Sequence, residues 1–120
     1  MPRSGGDAAP CQYVASGTWP NGRLDPAAPV SARYAQAFAL RLGEALTGKG
    51  LSLRAVEREA GVNRLTVDRV LAGQVLPDFG AIARLEEWLD VELWPGPEVR
   101  ARKRQRATRD ENVDQGKRQS

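Results

Sequence analysis

A chain of 120 residues, 41% apolar and 28% charged, is sized for one small globular domain with tails, and no segment approaches the ~20 apolar residues of a membrane helix. A single cysteine, Cys11, excludes an intramolecular disulfide and an all-cysteine zinc site, and the lack of histidine removes the commonest general base. The formal charge of +3 belongs to the C-terminal segment: residues 97–120 carry eight Lys/Arg against four Asp/Glu, whereas residues 1–96 carry ten against eleven.

Residues 1–30 hold five prolines and four glycines. That density predicts an irregular arm, disordered at least from Met1 to Pro10. Tyr13, Val14 and Trp19 interrupt it, which allows a short hairpin around Ser16–Gly17 or a Trp19 anchor on the core. No apolar stretch near the N-terminus resembles a signal-peptide core, so a cytoplasmic location is expected.

From Ser31, the expected cap, the pattern turns helical. Tyr34, Phe38, Leu42 and Leu46 recur at four-residue steps, with Ala35, Ala39 and Ala45 between them. Gly48-Lys49-Gly50 ends this helix. Ser52 caps a second, short helix with Leu53, Val56 and Ala60 inward, stopped by Gly61. Asn63 caps a third, whose inner face is Val67, Val70 and Leu71, stopped by Gly73. Asp78 caps a fourth, with Phe79, Ile82, Leu85 and Leu89 inward and Trp88 beside them. Val91, Leu93 and Trp94 extend the apolar surface, with Trp94 as an anchor closing the domain, before Pro95-Gly96-Pro97 ends order. Val99 to Ser120 has almost no large apolar residue and reads as a disordered, Arg-rich tail. The expected organisation is an arm over residues 1–30, an all-α domain of four to five helices over 31–96, and a tail over 97–120.

The segment Leu51 to Gly73 meets four demands of a helix-turn-helix. Val56 supplies the apolar residue of the first helix. Gly61 supplies the left-handed turn residue. Val62 plugs the turn. Val67 and Val70 bury one face of the second helix and leave the other free. The charge is polarised around this unit: Lys49 to Leu76 carries five bases and three acids, and Pro77 to Gly96 carries one base and five acids. That polarity suits a molecule oriented toward a polyanion, and equally a solvated surface with uneven charge.

Residues Tyr34 to Pro95 resemble the phage-repressor-type helix-turn-helix domains, the lambda Cro/repressor-like or XRE-like family. The resemblance rests on GLSLRAVEREAGVNRLTVDRVLAGQVLP, Gly50 to Pro77, and on AIARLEEWLDVELWP, Ala81 to Pro95, similar to the fourth helix and exit of many actinobacterial members. Fifteen of the eighteen basic residues are Arg and Ile82 is the lone isoleucine, a bias that fits a GC-rich genome. The family pattern breaks in three places. Glu57 stands where a small residue is usual at the helix crossing, so that either its side chain escapes toward Arg64 or the crossing is wider. Leu53 stands where many members place a phosphate-binding Gln or Arg. Leu71 and Ala72 replace a frequent Glu-Asn or Glu-Arg pair.

The resemblance implies a sequence-specific DNA-binding transcription regulator, a repressor, that reads the major groove of double-stranded DNA with helix 63–72. It maps base contacts onto Arg64, Leu65, Asp68 and Arg69, a set that helical geometry also puts opposite Val67 and Val70. Arg64 and Arg69 suit guanine edges, Leu65 a thymine methyl, and Asp68 a cytosine amino group or a neighbouring arginine. Backbone contacts fall to Ser52, Arg54, Asn63, Thr66 and Gln74, flanked by Lys49 and Arg58, with free N–H groups at the N-termini of helices two and three facing phosphate oxygens. The tail would add salt-sensitive, nonspecific affinity. Family members commonly bind as dimers. A weak or DNA-assisted homodimer is expected, through Val91 to Trp94 or the arm.

An enzyme is not expected. Cys11 has no histidine to activate it. There is no phosphate-cradling glycine loop and no cluster of metal ligands, so no cofactor or metal is anticipated. Glu57, Glu59, Glu86 and Glu87 lie at spacings that suit exposed helix faces. The competing reading is a protein-interaction module on the same fold, an antitoxin or accessory factor with little DNA affinity, using the acidic fourth helix and an exposed Trp88.

Overall fold

In the computed structural model, which describes residues 6–100, the longest element is α1, Val30–Lys49. Its apolar stripe buries Ala32, Ala35, Phe38, Ala39, Leu42 and Leu46, while Tyr34 is only half-buried. The helix starts one residue before the expected cap. Pro29 occupies the cap position with no side-chain hydrogen bond, and the Ser31 hydroxyl instead donates to Asp7 Oδ2 at 2.6 Å. Gly50 closes α1 in the left-handed conformation.

Four shorter elements follow. α2, Leu53–Ala55, is capped by Ser52 and runs directly into a π-helical turn, Val56–Ala60. α3 spans Arg64–Leu71 and α4 spans Phe79–Leu89. The Asp78 carboxylate caps α4 by accepting from the Ala81 N–H at 2.7 Å. Phe38, Leu42 and Leu46 of α1 meet Val56, Val62, Val67 and Val70 from the middle of the chain and Ile82, Leu85 and Leu89 of α4, with Leu93 completing one core. The described chain is thus mostly helical. No helix among the described residues is long and apolar enough to cross a membrane.

One inward assignment from periodicity fails, and the expected anchor Trp94 is shallow. Phe79 is 86% exposed. It is the first residue of α4, and helical side chains lean toward the N-terminus, which carries this ring past the edge of the core. Trp94 is 53% exposed; its ring packs against Tyr34, centroids 5.1 Å apart, and its main-chain N–H donates to Glu86 Oε2 at 2.9 Å. The deep anchors of the exit are Leu93 and Pro95, both fully buried.

The arm is built and docked, not irregular throughout. A 3-10 turn, Pro10–Tyr13, leads into a two-stranded antiparallel sheet of β1, Val14–Ser16, and β2, Arg23–Leu24. Val14 pairs with Leu24 and Ser16 with Arg23, with an irregularity between them. The hairpin and the Trp19 anchor therefore coexist. Of the segment Met1 to Pro10 expected to be disordered, residues 1–5 lie outside the described residues, Asp7 is bonded to Ser31, and Pro10 is buried. Polar residues of α1 hold both ends of the chain. Gln36 Nε2 donates to the Pro20 and Gly22 carbonyls at 2.9 and 2.7 Å. Arg33 donates to the Ala28 and Val99 carbonyls at 3.0 and 2.8 Å.

Order also runs past the expected stop at Pro97. Pro97–Val99 form a 3-10 turn, and Arg41 donates to the Trp94 carbonyl at 3.0 Å and to Glu98 Oε2 at 3.2 Å. The main-chain N–H groups of Glu98 itself and of Gly96, with Arg41 adding less, hold the exposed Glu98 carboxyl below its ordinary value. Residues 101–120, most of the tail expected to be disordered, lie outside the described residues.

Candidate nucleic-acid interface

The candidate surface is made by α2, its π-helical extension and α3, joined by a short turn. Gly61 sits in that turn at φ 76°, a conformation that strains residues bearing a Cβ. Val62 follows and is buried, so the turn is plugged into the core. Val67 and Val70 bury the inner face of α3. Arg64, Leu65, Asp68 and Arg69 are all exposed on the opposite face, and Leu65 shows 51% of its surface to solvent. At helical spacing, Arg64 lies one turn from Asp68, and Leu65 one turn from Arg69.

The two caps are committed within the chain, and each keeps a donor. Ser52 Oγ accepts from the Ala55 N–H at 3.1 Å. Asn63 Oδ1 accepts from the Leu65 and Thr66 N–H groups at 2.8 and 3.4 Å. In each case the side-chain oxygen is the acceptor. The hydroxyl proton of Ser52 and the amide NH2 of Asn63 remain available to an anion. Asn63→Ala is expected to destabilise the fold by about 1 kcal/mol through loss of the cap, read as a lower thermal midpoint.

The Glu57 side chain resolves the open question about the helix crossing. It lies in the π-helical turn, stays exposed, and reaches across the Gly61 turn. Its Oε2 accepts from the Arg64 main-chain N–H at 3.4 Å, and its Oε1 lies 3.8 Å from Arg64 Nε. The first three N–H groups of α3 are thereby engaged by Glu57 and Asn63. The expectation of free N–H groups there is corrected: a phosphate at this helix end would have to displace a carboxylate.

Comparison with protein-family models, with curated proteins and with solved structures finds no match to this chain. The surface is therefore read from its own chemistry.

The remaining candidates divide by position. Arg54 on α2, Lys49 at the end of α1 and Gln74 beyond α3 are exposed. The Gln74 main-chain N–H donates to the Arg69 carbonyl at 2.9 Å. Thr66 is half-buried, and Arg58 pairs with its neighbour Glu59 at 3.1 Å. Leu53 is half-buried and packs against the core. An apolar side chain in that position contributes packing where a Gln or Arg would reach for phosphate.

The far end of α3 shows a contact that local sequence did not reveal. The Trp19 indole N–H donates to the Leu71 carbonyl at 3.0 Å, and the Cys11 N–H donates to the Gly73 carbonyl at 2.8 Å. Gly73 has φ 74°, and a Cβ there would lie 2.5 Å from the Trp19 ring. The arm thus satisfies carbonyls that a helix C-terminus leaves unpaired. Leu71 and Ala72 stand at this docking site.

Proposed function

We propose that the protein is a sequence-specific DNA-binding transcription regulator, acting as a repressor, that reads the major groove with α3. The observation that carries this reading is the two-sidedness of α3: Val67 and Val70 are buried while Arg64, Leu65, Asp68 and Arg69 are exposed side by side. A rigid helix with one face anchored and an Arg-bearing face free has the form that base readout needs. The left-handed Gly61 and the buried Val62 support assigning the segment to a lambda-repressor-like helix-turn-helix. Ser52, Arg54, Asn63, Thr66 and Gln74 are proposed to position the duplex through its backbone, and a weak or DNA-assisted homodimer to double the sequence read.

The test is titration of the purified protein against a duplex carrying the region upstream of its own gene, with a scrambled duplex as competitor. Saturable binding that survives the competitor supports the reading, and equal affinity for both duplexes refutes it.

The second reading, an antitoxin or accessory factor, draws on the acidic α4 and on an exposed aromatic. That aromatic is Phe79, since Trp88 is half-buried against the core. A variant with Phe79→Ser that keeps full DNA selectivity leaves this reading to any partner-binding role alone.

A further inference from the structure

Although Lys49 to Leu76 as a whole keeps two more bases than acids, the exposed face of α3 is itself balanced once Glu57 is counted: Arg64 and Arg69 are matched by Asp68 and Glu57. Nonspecific binding to DNA is driven almost wholly by cation–phosphate attraction, so a balanced surface gains little from an arbitrary duplex. Glu57 is the member of the set that α3 does not itself contribute. It comes from the preceding element and folds over the Arg64 end of the helix.

One Glu57 oxygen accepts from the Arg64 main-chain N–H, and the other faces Nε of the same residue. The carboxylate therefore lies within ion-pair range of the root of the guanidinium, without a hydrogen bond to it. Among the described residues, the two terminal nitrogens of Arg64 have no protein acceptor. Those are a pair of parallel donors suited to a planar acceptor pair such as guanine O6 and N7. A phosphate offers Arg64 a charge but must approach the carboxylate to reach it, and it meets the same carboxylate at the α3 N–H groups.

We propose that Glu57 is a specificity-determining positioning residue: it braces Arg64 for a guanine edge and keeps phosphate off the Arg64 main-chain N–H and guanidinium, leaving backbone contact at this end of α3 to the Asn63 and Thr66 side chains. The proposal rests on the DNA-reading function above. Glu57 acts through Arg64 and by charge, and it does not itself read a base.

The experiment uses the full chain and a random-core duplex library, comparing wild type, Glu57→Gln, Arg64→Ala and the double variant. Glutamine keeps an oxygen for the Arg64 N–H and deletes the charge, so the fold is retained, as a thermal midpoint near that of wild type will show. Relative to wild type, Glu57→Gln is expected to bind a scrambled duplex about fivefold more tightly at low salt. The slope of its log K against log salt should steepen by about 0.9, the value for one additional phosphate contact on duplex DNA. Preference for guanine at one position of the selected motif should weaken. In the Arg64→Ala background, Glu57→Gln should no longer change that base preference.

An unchanged motif, nonspecific affinity and salt slope in Glu57→Gln overturn the proposal and leave Glu57 as a helix cap. A change in base preference that persists without Arg64 also overturns it. If wild type itself selects no motif, the DNA-reading function fails and this inference fails with it. If wild type selects a motif that Glu57→Gln selects identically, only the inference fails.

Discussion

Arg64→Ala combined with Arg69→Ala is expected to abolish selective binding to the upstream duplex while leaving the protein folded. Each arginine that grips a guanine edge through two hydrogen bonds contributes about 1–3 kcal/mol of discrimination. The two residues are five positions apart on one helix, so the losses add only approximately, to about 2–6 kcal/mol. Affinity for the selected site should fall toward that for a scrambled duplex. Both side chains are exposed, and neither contributes to the core, so the thermal midpoint should move little. The measurement is an anisotropy titration of both duplexes, with circular dichroism as the folding control. Undiminished selectivity in the double variant would remove α3 as the reading element. The two single variants should differ: Arg64 is braced by Glu57, whereas no ion pair holds Arg69 among the described residues. The loss from Arg64→Ala should fall more on base preference, and the loss from Arg69→Ala more on overall affinity.

Gly73→Ala is expected to be the most damaging single exchange at the end of α3. A Cβ at φ 74° strains the backbone by about 1–2 kcal/mol. It also drives the Trp19 ring from its seat, because the ring atoms lie 2.5–2.8 Å from where the Cβ would stand. Displacing the ring exposes an aromatic face, worth about 1.5–3 kcal/mol, and breaks the indole bond to the Leu71 carbonyl. The combined loss is about 3–5 kcal/mol, a large share of the stability of a small domain. Chemical denaturation measures it, and a red shift of tryptophan emission in the folded baseline reports the lost seat. In a Trp19→Ala background the same exchange should cost only the backbone strain. Equal costs in both backgrounds would show that the arm does not dock on Gly73.

The local signals were legible one element at a time. Ser52, Asn63 and Asp78 each cap the helix that follows them, because capping is decided within three residues of chain. Gly50 and Gly61 end their helices for an equally local reason. Ser31 misled because its hydroxyl has a partner in Asp7, and the helix begins after Pro29 instead. Phe79 misled because a period of apolar residues says which face a side chain shares, not whether the core extends as far as the first turn. The outward set Arg64, Leu65, Asp68 and Arg69 was legible because the buried pair Val67 and Val70 fixes the opposite face by helical geometry alone. The state of the α3 N-terminus was not, since Glu57 reaches it across seven positions and a turn.

By itself, then, the amino-acid sequence determined the helical character, the helix ends other than the start of α1, and the two faces of α3, all consequences of interactions within a few residues. Only the tertiary structure decided that the arm, rich in proline and glycine, is a docked element. Its contacts join Trp19 to Leu71 and Cys11 to Gly73 across more than fifty positions. Likewise, only the folded chain shows Arg64 held by a carboxylate. Hydrogen bonds and ion pairs of that kind depend on where separate elements come to rest, and no periodicity along the chain records it.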